Sequence, residues 1–132
     1  MIIETSAMVA LIKDEPEAPT YRRGIEIDDD PKMSAVNYVE AAIVVDRPGH
    51  DRFSRLLDSL VESLDISVVP FTEAHARLAR EAYRRYGRGS GHRAGLNFGD
   101  CFAYALAIDT DEPLLFKGDD FGHTDVRVAL AG

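Results

Sequence analysis

Residues 97–118 read "NFGDCFAYALAIDTDEPLLFKG". Asn97 is a residue type that caps helix N-termini. The stretch "FGDCFAYALAID" that follows is rich enough in apolar residues to be a buried helix. "PLLFKG" then reads as a short buried strand. One helix feeding directly into one strand is half of an alternating α/β unit, and the rest of the chain repeats the alternation. "MIIE" is a strand, and Ser6 can cap the helical stretch "AMVALIKDE". Pro16 permits a second helix through "EAPTYRRGIEI", and "DDDP" is a turn. Lys32 and Met33 end a brief strand before Ser34, a plausible N-cap for the apolar run from Ala35 to Val45. "FSRLLDSLVESL" is an amphipathic helix, most simply a core or dimer face, and "ISVVPF" is a strand ended by Pro70. Thr72 caps "EAHARLAREAYRRYG", which Gly87 stops, and "VRVAL" suggests a last short strand. About five short strands alternating with helices imply an α/β sandwich around a mostly parallel sheet.

The chain has 132 residues, which suits a single domain spanning 1–132 with a real core. No apolar run approaches the length of a membrane span, and no signal-peptide pattern opens the sequence. A single cysteine, Cys101, excludes an internal disulfide and suits a reducing, cytoplasmic setting. The formal net charge of −8 argues against a general nucleic-acid binder. The charge is unevenly distributed, however. Bases crowd "RRYGRGSGHR", so Arg84, Arg85, Arg88, His92 and Arg93 are candidates for holding a polyanion. For Arg84 and Arg85 the solvated end of a helix is an equally good account.

Acids stand in places where the local pattern predicts apolar residues or sheet ends. Glu4 ends the first strand, Glu40 lies inside an apolar helix, and Asp100 is in the first turn of the helix quoted above. Asp119 and Asp120 follow "PLLFKG". In an open parallel sheet, ligands bind beyond the carboxyl ends of the strands. Each acid also has a plainer reading. Asp100 suits a helix first turn, Asp119 and Asp120 suit a turn, and Glu4 suits a solvated strand end. Glu40 is the hardest to dismiss, because an acid among Val, Tyr, Ala and Ile needs a partner. Gathered together, such carboxylates would repel unless a hard cation neutralised them. Mg²⁺ or Mn²⁺ would take these oxygens and act on a phosphodiester. His50, His75 and His123 read as loop, helix-surface or capping, and structural residues, and Cys101 as a small core residue.

"MIIETSAMVALIKDEPE", "SAVNYVEAAIVV", "YGRGSGHRAGLNFGDCFAYALA" and "PLLFKGDDFGHTDV" together resemble the four motifs of the PIN-domain ribonucleases, and within them the VapC toxins of toxin–antitoxin pairs. The resemblance implies a PIN-like α/β/α sandwich and an Mg²⁺- or Mn²⁺-dependent endoribonuclease acting on RNA, often tRNA or rRNA. It implies a homodimer, and a heterotetramer or larger assembly with an inhibitory VapB-type antitoxin. It implies Glu4, Glu40 and Asp100 as the first three site acids and metal ligands. Asp120 is favoured over Asp119 as the fourth. Thr5, Ser6, Asn97 and Asp125 are implied as groups that orient ligands or waters.

At one position the chain departs from the family, whose first acid is usually Asp. Glu4 is one methylene longer, which moves the carboxylate by about 1.5 Å where sites tolerate about 0.5 Å. An alternative reading follows: a catalytically weakened binding module that persists as an antitoxin partner and corepressor. A receiver-like regulator would also cluster acids on an α/β sheet, but it suits Glu40 and the Arg/Gly loop poorly.

Overall fold

The computed structural model of the chain describes residues 1–130; the last two residues of the expected 1–132 domain lie outside the described residues. Four strands, β1 (Ile2–Ile3), β2 (Lys32–Ser34), β3 (Ser67–Val69) and β4 (Leu114–Leu115), form one sheet in the order β3-β2-β1-β4. Every pairing is parallel: Ile2 lies opposite Lys32 and Leu114, and Met33 opposite Val68. Parallel strands need crossovers. These are α1 (Thr5–Ile12) and α2 (Ala18–Glu26) after β1, and α3 (Ala35–Val45) and α4 (Asp51–Ser63) after β2. After β3 come α5 (Glu73–Tyr86) and α6 (Phe98–Thr110).

The alternation of side chains along a strand explains the layers. Ile3 and Leu115 enter one core with Met8, Leu11, Ile25, Val45 and Leu60 from α1–α4. Their neighbours Ile2 and Leu114 enter the other core with Ala79, Tyr86, Leu106 and Phe121. Two-residue strands thus suffice, because each supplies one fully buried side chain to each face. The result is the expected α/β/α sandwich.

The caps read from the sequence are present at Ser34, Thr72 and Asn97, and α5 ends at Gly87. Three details differ. Helix α1 is capped by Glu4 rather than Ser6, because the chain turns into helix at the residue after β1 ends. "PLLFKG" narrows to the two residues of β4. The expected fifth strand reduces to a single bridge between Val128 and Leu114, so the sheet has four strands among the described residues.

Candidate active site

The carboxyl edge of the sheet collects the acids. Glu4 extends the β1–β4 ladder by one bond, its amide donating to the Leu115 carbonyl at 3.0 Å. Its side chain then turns back: Oε2 accepts from the Ser6 amide at 2.7 Å and from the Ser6 hydroxyl. Glu4 is only 4% exposed. Burial pushes its carboxyl up to about 7 against the two Ser6 hydrogen bonds, and the charges of Asp100 and Glu40 add to the rise.

Glu40 projects from α3 toward the start of α6. Its Oε1 accepts from the Thr5 hydroxyl at 2.6 Å and from Asn37 Nδ2 at 2.8 Å. The same Asn37 nitrogen donates to the Gly99 carbonyl at 3.1 Å. Asn37 is fully buried at 0% exposure, and its Oδ1 has no hydrogen-bond partner among the described residues. The reverse amide orientation would set that oxygen against the Glu40 carboxylate, so the network fixes which end faces it. Gly99 completes the arrangement: a Cβ there would lie within the Glu40 carboxyl group.

Asp100 is held by a reciprocal capping box. The Asn97 side chain accepts from the Asp100 amide at 2.8 Å, and Asp100 Oδ2 accepts from the Asn97 amide at 3.0 Å. Burial raises its carboxyl above the ordinary value; the Asn97 amide opposes this, and Glu40 and Asp120 add to it. Arg88 is the cation that pulls it down. Asp120 opens a short 3₁₀ turn, Asp120–His123, whose Phe121 is anchored in the core.

A cleft of about 370 Å³ joins Glu4, Thr5, Ser6, Glu40, Asn97, Asp100 and Asp120. Asp119 faces a neighbouring hollow with Tyr21 and His123 instead. Asp125 also lies away from the cleft lining. Its Oδ1 accepts from Tyr104 at 2.7 Å and from Tyr86 at 3.3 Å, tying the segment after the 3₁₀ turn to α5 and α6. Arg84 pairs with Glu81 on its own helix, and Arg85 lies over the Tyr86 ring. His92 packs edge-on against Tyr86, and its Nδ1 accepts from the Ala94 amide. Arg93 is exposed in the loop. Of the two readings of His75, helix surface and capping, the first fails, while its amide does donate to the Thr72 cap at 3.1 Å. His75 is 6% exposed, with Nε2 3.0 Å from Asp109, pinning the start of α5 to the end of α6.

Asn37, Gly99 and Lys117 are the site residues that sequence reading passes over. Asn37, three positions before Glu40 and so one helical turn away on the same face, carried a usable signal. Lys117 lines the acidic cleft as well, and nothing local distinguishes it from a solvated lysine.

The donor set is all oxygen, as a hard divalent cation requires, and two of its carboxyls, Glu4 and Asp100, are pushed up by burial and by neighbouring carboxylates. Among the described residues, no three His, Cys, Asp or Glu side chains converge closely enough to enclose an ion alone. Mg²⁺ suits this, because it binds through one or two carboxylates and keeps water. The residues therefore fit such an ion.

Over residues 1–127 the chain matches the PIN domain family. It is similar to VapC ribonuclease Mb0625 of Mycobacterium bovis and to ribonuclease VapC28 of Mycobacterium tuberculosis, at 53% identity over 130 residues and 98% of each chain. Ribonuclease VapC42 of Mycobacterium tuberculosis is 48% identical over 129 residues, covering 98% of both chains. The fold is similar to the crystal structure of Mycobacterium tuberculosis VapC20, a sarcin-ricin loop cleaving toxin, with a TM-score of 0.75. That match covers 99% of this chain and 98% of the other at 17% identity, so the likeness is one of fold. The chain belongs to the PIN-domain family and, within it, to the VapC ribonucleases.

Proposed function

We propose that this chain is the toxin of a toxin–antitoxin pair, a divalent-cation-dependent endoribonuclease held in check by a VapB-type antitoxin. The observation that carries the reading is the gathering of Glu4, Glu40, Asp100 and Asp120 on one cleft at the carboxyl edge of the parallel sheet, with Glu4 buried. Mg²⁺ or Mn²⁺ bound here supplies a Lewis acid for the phosphodiester and lowers the pKa of an attacking water. One or two of Glu4, Asp100 and Asp120 would hold it directly, the others reaching it through its waters. Glu40, carrying the Thr5 and Asn37 hydrogen bonds on Oε1, keeps Oε2 to orient water. Ser6 fixes Glu4, and Asn97 fixes Asp100. Arg88, and from the same loop Arg93, would draw the RNA backbone toward Asp100. An RNA substrate and a paired antitoxin support action in the cytoplasm; no helix among the described residues is long and apolar enough to cross a membrane.

The test is cleavage of tRNA and rRNA by the purified chain. Cleavage should require Mg²⁺ or Mn²⁺, stop with chelator, stop on adding antitoxin, and disappear in Asp100→Asn. Metal-independent cleavage, or a fully active Asp100→Asn, would sink the reading.

A second reading rests on Glu4 itself. Its carboxylate is folded back onto Ser6, which favours a weakened nuclease that survives as an antitoxin partner. Glu4→Asp assayed beside the parent decides between them: cleavage by the Asp form alone identifies the parent as a binding module.

A further inference from the structure

Four of the groups lining the cleft are acids of the cluster, and an incoming RNA strand is itself a polyanion. Lys117 is the basic side chain on that lining. It follows β4, and its position is set by the main chain: its amide donates to Ser6 Oγ at 2.9 Å, and Ser6 in turn holds Glu4. Its ammonium lies 2.5 Å from Glu15 and 3.2 Å from Glu17, both on the segment between α1 and α2. Glu15 lines the same cleft. The Lys117 side chain keeps 36% exposure, and ion pairs this open add little to stability.

We propose that Lys117 binds a phosphate of the substrate strand, and that it is parked on Glu15 and Glu17 until a phosphodiester enters the cleft. This rests on the ribonuclease reading and extends it to a residue no motif marks. A lysine ammonium binds phosphate as a point charge on a flexible stem, so it can swing between partners while its backbone stays fixed. The exchange replaces a charge-assisted hydrogen bond to Glu15 and an ion pair with Glu17 by charge-assisted hydrogen bonds to phosphate. The two glutamates, already partly exposed, return to water. Arg88 acts on Asp100, whereas Lys117 stands beside Ser6. The two cations would therefore meet the strand at different edges of the acidic cluster.

The experiment is a salt titration of binding of a labelled single-stranded oligoribonucleotide, read by fluorescence anisotropy in the full chain carrying Asp100→Asn. Lys117→Ala should weaken binding and flatten the log–log salt slope by about 0.7, the value for one fewer phosphate neutralised on a single strand. Lys117→Arg should keep the slope and serves as the folding control. Replacing Glu15 and Glu17 together by Gln should tighten binding, because it frees the ammonium. An unchanged slope in Lys117→Ala overturns the assignment, as does an unchanged affinity in the double Gln variant. If the Asp100→Asn chain binds no RNA at all, the ribonuclease reading fails and takes this inference with it.

Discussion

Glu4 carries an unusual acid–base signature for a carboxylate. In the folded chain it titrates at about 7 against an ordinary 4.5, chiefly because it is buried. The folded state therefore binds this proton more tightly than the unfolded state does. On this group's account, stability is greatest below pH 4.5, falls as pH rises from 4.5 to about 7, and is flat above. The full difference is on the order of 3 kcal/mol. Chemical denaturation in chelator should show Glu4→Gln gaining stability over the parent above neutral pH and matching it near pH 4; parallel curves across that range would remove burial as the cause. A second residue-scale prediction concerns Gly99, whose missing Cβ makes room for Glu40. Gly99→Ala should cost about 1–3 kcal/mol in thermal or denaturant unfolding. It should also lower kcat by more than that loss explains, because the Glu40 carboxylate must move. Glu40 stood out in the sequence as an acid in apolar surroundings. Glu4, Asp100 and Asp120 drew notice only by their places at a strand end, a helix first turn and a turn after a strand, and it was the family resemblance that joined them into one set. Asn37 offered only its spacing to Glu40, and Gly99 and Lys117 offered nothing, because what matters about them is a partner from another element: Glu40 for Gly99, and Ser6, Glu15 and Glu17 for Lys117.

Among the elements, α6 contributes most directly to the site. Its first turn must start at Asn97 for Asp100 to face the cleft, and the capping box makes that start unambiguous. Asn97→Ala should destabilise the chain by about 1 kcal/mol. It should also reduce cleavage by releasing Asp100 Oδ2, and Asn97→Ser should recover stability. Equal activity of Asn97→Ala and parent would mean that Asp100 needs no such anchor. Capping was readable at Ser34, Thr72 and Asn97 because it depends on a few neighbouring residues. At α1 local preference misled: Ser is a better cap than Glu, yet β1 ends so early that Glu4 is the residue left at the turn. Strand length was overestimated for a related reason, since burial continues past the last paired residue, as Phe116 shows in packing against Phe121.

At the scale of the whole molecule, an apolar face awaits a partner. Val39 and Ile43 on α3 adjoin Phe98, which in turn borders Phe71 and Tyr83. Phe98 is 72% exposed and Ile43 65%. Exposed apolar groups this contiguous mark an interaction surface, and the family resemblance makes a second copy the expected occupant. Light scattering should find a dimer that Ile43→Glu converts to monomer with the circular dichroism spectrum unchanged; a monomeric parent would refute self-association.

The strand order has a consequence in time. β1 is translated before both of its neighbours, and one of them, β4, comes only at Leu114–Leu115, with Asp120 later still. Synthesis proceeds from the N-terminus, and the loop closed by β1 and β4 spans most of the chain. Glu4 thus waits for the sheet edge that buries it, and for the acid that shares its cleft, until the ribosome has passed Asp120. A growing chain can gather the core formed by α1–α4 while its cleft is still half made. Any chemistry the cleft performs therefore begins only after the segment through Asp120 has been made.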